Sequence, residues 1–124
     1  MKKVMIIADD AAISDVLHVL FKRAGYEVFS YPNGNFILKK AFDIPDVFII
    51  DKQLSGVDGL DICKHLKQMD ATKCVPVIIL SASLHLHALI KQAGADALLE
   101  KPFSNNKLLE IVANLVNDLN QAAH

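Results

Sequence analysis

Asp51 is the residue around which chemistry can be built. It closes the run Val47-Phe48-Ile49-Ile50-Asp51, which Pro45 precedes. Asp9 and Asp10 follow a similar apolar run at Val4 to Ala8, Ser81 ends another at Val75 to Leu80, and Lys101 follows Ala97 to Glu100. Taken singly, each has an ordinary explanation: an acid capping a helix, a turn serine, a solvated lysine. Taken together, at successive ends of apolar runs, they form a reactive set. Carboxylates gathered in one crevice repel one another unless positive charge is supplied. Mg2+ suits that task because it takes hard oxygen ligands and typically uses one or two carboxylates, as Asp10 and Asp51 provide. Lys101 supplies a fixed ammonium suited to phosphate. A desolvated aspartate beside a metal is a nucleophile toward phosphorus, giving an aspartyl phosphate. That transfer needs mainly positioning and neutralisation, which Mg2+, Lys101, the Ser81 hydroxyl and nearby backbone N–H groups would provide. There is no Gly-rich phosphate loop, so a nucleotide held in a P-loop is not the expected donor.

The elements that position these residues follow from the pattern. Val47 to Ile50 is apolar throughout, as expected of a short strand buried on both faces. Strands are expected at Val4 to Ala8, Tyr26 to Ser30, Val47 to Asp51, Val75 to Ser81 and Ala97 to Glu100. Ile13, Val16, Leu17, Leu20 and Ala24 recur at helical spacing, and Gly25 supplies the stop. Weaker helices are expected over Phe36 to Phe42 and Leu86 to Ala93, with a further one after Gly59. Ser104 caps a last helix to about Asn120, with Leu108, Ile111, Val112, Leu115 and Leu119 on one stripe. Five strands alternating with five helices imply a doubly wound α/β fold, a parallel sheet with right-handed crossovers and helices on both faces. In the flavodoxin-like order 2-1-3-4-5, the ends of strands 1, 3, 4 and 5 open toward one crevice.

Composition narrows the function classes. At 124 residues the chain is expected to form one domain, residues 1–124, with a core that needs neither disulfide nor structural metal. Apolar residues make up 52%, but the runs are too short to span a bilayer, and Met1-Lys2-Lys3 leads into no secretory signal. A soluble cytoplasmic protein is expected. The net charge of −1 gives no electrostatic footprint for nucleic acid. Cys63 and Cys74 lack metal-like spacing and read as reduced thiols packed as small hydrophobes.

The residues now on the page carry a resemblance. The chain resembles the receiver domain of two-component response regulators along its whole length, through Asp9-Asp10, Asp51, Asp58-Gly59, Ser81-Ala82 and Lys101-Pro102-Phe103. The resemblance implies that Asp51 accepts a phosphoryl group from a histidine kinase or a histidine phosphotransfer protein. It implies Mg2+ on Asp10, Asp51 and the Gln53 carbonyl, with Asp9 acting through water. It further implies that Ser81 bonds the phosphoryl group, that Lys101 pairs with it, and that the Lys101-Pro102 peptide is cis. A downstream protein then reads the altered surface; neither nucleic acid nor membrane is an expected direct partner.

Several positions depart from the family pattern. Leu98 stands where an aromatic residue usually lies in the last strand, and Ser55 where proline is frequent. Lys52 adds a positive charge directly after Asp51, with a side chain free to point toward the site or away from it, and Gln53 and Ser83 border the approach of an attacking water. Leu84, Leu86 and Leu89 belong either to the core or to an apolar partner face. Two other functions compete with phosphoacceptance: a phosphorylation-independent binding module of the same fold, and a phosphatase with an aspartate nucleophile. The second would want an acid two residues after Asp51, where Gln53 stands and cannot act as a general acid. The chain is therefore expected not to be an enzyme.

Overall fold

The most apolar runs of the chain become the central strands of one sheet. The computed structural model describes residues 1–35, 42–54, 58–82 and 87–122. In chain order it contains β1 (Lys3–Ile7), α1 (Ala11–Arg23), β2 (Glu27–Tyr31), β3 (Val47–Asp51), α2 (Gly59–Gln68), β4 (Val77–Ser81), α3 (His87–Ala93), β5 (Ala97–Glu100) and α4 (Asn105–Ala122). The sheet order is β2-β1-β3-β4-β5, and every pairing is parallel. This is the expected doubly wound, flavodoxin-like arrangement.

Side chains on a strand alternate between faces, and both faces of this sheet are covered. Met5, Ile7, Phe48, Ile50, Val77 and Ile79 pack with Leu60, Cys63 and Leu66 of α2 and with Ile90 and Ala93 of α3. Val4, Ile6, Val47, Ile49, Ile78 and Leu80 pack with Leu17 and Phe21 of α1 and with Leu108, Val112 and Val116 of α4. All five residues of β3 are buried, so an unbroken apolar run is what the position demands. Fully burying a side chain such as Phe48 or Ile49 contributes about 1.5–3 kcal/mol, and the two layers together fix the level at which β3 ends.

Some boundaries shift by a residue or two, for physical reasons. β2 begins at Glu27 rather than Tyr26, because the Tyr26 N–H donates to the Phe21 carbonyl and closes α1. β4 begins at Val77 rather than Val75: Pro76 has no N–H for a ladder, although its carbonyl still accepts from Phe48 N–H. β1 ends at Ile7, yet Ala8 N–H still donates to Tyr31 O. Gly25 does stop α1, with φ of 94°, a region that disfavours side chains. Ser104 does cap α4, its Oγ accepting from Lys107 N–H at 3.3 Å. Cys63 is buried as expected, whereas Cys74 is exposed on the turn before β4. The expected helix over Phe36 to Phe42 lies outside the described residues, apart from Phe42 itself, as do Ser55, Ser83, Leu84 and Leu86. Of the leucines around α3, Leu89 is exposed rather than core.

Candidate functional site

The parallel register brings the expected residues to one edge of the sheet. Ile7 pairs with Ile50, so Asp9 and Asp10 leave β1 just above the level of Asp51. Asp51 pairs with Leu80, which places Ser81 one step beyond it on the neighbouring strand. Ser81 pairs with Glu100, and Lys101 N–H donates to Ser81 O at 2.8 Å, so Lys101 begins the adjoining loop. The carboxyl ends of β1, β3, β4 and β5 therefore share one crevice, as a doubly wound sheet should arrange them.

At its centre is a close ion pair. Lys101 Nζ donates to Asp51 Oδ2 at 2.7 Å, across fifty residues of chain. The Asp51 side chain is only 4% exposed, against 23% for Lys101. The second carboxylate oxygen, Oδ1, accepts from the Gln53 N–H at 3.1 Å. A buried carboxylate is costly unless its oxygens find donors, and here both have one. Ser81 is also buried, at 4% exposure. The Lys101-Pro102 peptide bond is cis.

The two acids after β1 behave differently from Asp51. Both are exposed. Asp10 is the N-cap of α1: its Oδ1 accepts from Ala12 N–H at 2.9 Å and Ile13 N–H at 3.4 Å. The ordinary explanation for this acid is thus realised in the structure. Among the described residues no group of three or more histidine, cysteine or acidic side chains is gathered closely enough to hold a metal. The acids share one rim without converging on a single point. Hard oxygen donors are nonetheless what that rim offers, and Mg2+ typically needs only one or two carboxylates because it keeps several waters.

Of two features of the loop after Asp51, the sequence left the first open and did not show the second. Lys52 turns away from Asp51 and pairs with Asp58 at 3.1 Å. The first residue of α2, Gly59, lies against the main chain of Asp51 and Lys52. Alternation along the strand gives a partial signal for the first: Lys52 must face opposite to Asp51, toward α2. The second follows only from the packed geometry.

Comparison with known proteins decides the family. The sequence profile of the response regulator receiver domain matches residues 4–113. The chain belongs to that family. A DNA-binding dual master transcriptional regulator, RpaA of Synechocystis, is 34% identical over 121 residues, covering 94% of this chain and 49% of the relative. The chain thus spans about half the length of that curated relative. Among solved structures, the chemotaxis response regulator CheY4 of Vibrio cholerae is 27% identical, with a TM-score of 0.85 over 93% of this chain and 98% of the other. The response regulator TrrA of Thermotoga maritima, solved in complex with Mg2+–BeF, is 28% identical, with a TM-score of 0.82 over 93% of this chain and 99% of the other. The protein is a receiver domain of two-component signalling. Leu98 of this receiver domain lies half-buried against the cluster of α2 and α3, level with Ile79.

Proposed function

We propose that this receiver domain works as one unit over residues 1–124 and takes a phosphoryl group on Asp51. The donor is a phosphohistidine of a histidine kinase or a histidine phosphotransfer protein. The observation that carries this reading is the buried Asp51 carboxylate, held by Lys101 on one oxygen and by a main-chain N–H on the other. In the transfer an Asp51 oxygen bonds phosphorus as the P–N bond of the donor breaks, and the imidazole leaves with the electron pair. Lys101 lies beside the new group and pairs with its oxygens, and the Ser81 hydroxyl bonds one of them. Burial of Asp51 keeps water from competing for the donor.

Asp10, Asp51 and the Gln53 carbonyl would hold Mg2+, with Asp9 acting through water. The donor set fits such an ion, being made of hard oxygens alone, and the TrrA structure with Mg2+–BeF supports the same cation here. When bound, the ion neutralises phosphoryl oxygens during transfer. The output is a change in the surface offered to a partner protein rather than turnover of a substrate, and the composition supports a cytoplasmic place of action.

The test is phosphate uptake from a small acyl or amidophosphate donor with Mg2+, followed by intact mass. The wild type should gain one phosphate and Asp51→Ala none. Labelling retained by Asp51→Ala would overturn the assignment.

A further inference from the structure

Lys52 is the one strongly basic side chain directly next to Asp51 in sequence, yet its charge is spent elsewhere. Phe48 and Ile50 face α2 and α3, whereas Val47 and Ile49 face α1 and α4. By the same alternation Lys52 falls on the α2 side of the sheet. There its Nζ meets Asp58 Oδ2 at 3.1 Å, with the two side chains 21% and 40% exposed. Asp58 Oδ1 meanwhile accepts from Leu60 N–H at 2.9 Å, so one carboxylate both caps α2 and holds Lys52. Main-chain ties run alongside. Gly59 N–H donates to Lys52 O at 2.8 Å, and Gln53 pairs with Asp58 as an isolated antiparallel bridge. The residue so fixed, Gln53, is the one whose N–H holds Asp51 Oδ1.

We propose that the Lys52–Asp58 ion pair is a clasp that positions Gln53 against the Asp51 carboxylate, making Lys52 a positioning residue for phosphoryl transfer. The consequence for transfer rests on the phosphoacceptor reading above; the clasp itself does not. With the pair intact, residues 52–53 and 58–59 move together, so the Gln53 N–H stays on Oδ1 and its carbonyl keeps one orientation. Without it, the main-chain ties must hold the strand end to the start of α2 unaided. Lys52 acts through Gln53 and touches no reacting atom.

Two variants separate the clasp from a direct effect of the Lys52 charge. Lys52→Met removes the cation. Asp58→Asn keeps a side-chain acceptor for Leu60 N–H and removes only the charge that holds Lys52. Hydrogen exchange of the Gln53 amide, followed by NMR in the full chain, should quicken roughly two- to fivefold in both variants, the scale of a partly exposed ion pair. Amides in the middle of β3 and β4 should stay at wild-type rates, and Lys52→Arg should restore Gln53. Phosphate uptake from an acyl phosphate should slow in the same order and recover in Lys52→Arg. Wild-type exchange at Gln53 in both variants would overturn the clasp, as would equal quickening of every amide. Uptake that rises in Asp58→Asn would instead assign Lys52 to direct attraction of the donor and would also overturn it. The exchange measurement needs no phosphate, so it decides the clasp even where Asp51 takes up none.

Discussion

Gly59 lies so close to Asp51 that a side chain would not fit between them. A Cβ built on Gly59 overlaps the Asp51 carbonyl oxygen and comes within 2.9 Å of Lys52 Cα. These are backbone atoms of a strand end buried on both sides, and they cannot swing aside as a flexible side chain would. The first turn of α2 is therefore seated directly on the residue that carries the proposed chemistry, and Gly59 N–H donating to Lys52 O at 2.8 Å holds it there.

Gly59→Ala should consequently destabilise the domain although alanine is the better helix former. The helix gain is about 1 kcal/mol, whereas forcing backbone apart in a packed region costs about 1–3 kcal/mol and sometimes more. A net loss in urea unfolding is expected, together with slower phosphate uptake, because the shift falls on Asp51 itself. A variant as stable as the wild type would show that the strand end gives way more easily than its packing implies.

The Asp51–Lys101 pair makes a second prediction. Lys101→Met leaves a carboxylate that is 4% exposed without its cationic partner. Leaving a buried polar group without its partner costs about 1–3 kcal/mol, and more when the group is charged, as here. Adding Asp51→Asn removes the orphaned charge, so the double variant should be more stable than Lys101→Met alone. A double-mutant cycle by urea unfolding reads this coupling. Lys101→Ala should still accept phosphate on Asp51, but the amide shifts that phosphate induces around β4 and β5 should shrink. Unchanged shifts would remove Lys101 from the readout of the phosphate.

What could be read in advance depended on whether a residue's role is set by local pattern or by closure of the chain. β3 was legible because a strand covered on both faces has no polar position to interrupt it until Asp51. Gly25 was legible because a helix stop with positive φ selects glycine. Asp9, Asp10, Ser81 and Lys101 were placed by the strand order alone, since a doubly wound sheet delivers its strand ends to one crevice. The capping of α1 by Asp10 was one of two readings open in the sequence, which does not say where an exposed carboxylate turns. The Lys52–Asp58 pair and the Gly59 contact depend on how a loop returns to its starting strand, and no periodicity encodes that. Tyr26 and Pro76 fell just outside their expected strands because a single N–H, used elsewhere or missing, decides where a ladder starts.

The cysteines give a prediction at alkaline pH. Cys63 is fully buried in α2, its Sγ donating to Ala93 O at 3.4 Å, whereas Cys74 is exposed. Burial pushes the Cys63 thiol up to about 11; the Lys67 charge pulls it down and Asp96 pushes it further up, each less than burial does. In the unfolded chain a cysteine ionises at about 8.5. Between those two values the unfolded state releases a proton that the folded state keeps. The contribution of Cys63 to stability is therefore complete below the unfolded value and is lost as pH rises toward 11. Urea unfolding across that window should show a steeper alkaline loss for the wild type than for Cys63→Ala, with the lysines and tyrosines common to both cancelling in the comparison. A thiol reagent at mildly alkaline pH should modify Cys74 at once and Cys63 only with unfolding. Parallel stability curves, or two thiols reacting together in the folded protein, would show that Cys63 is reachable by water.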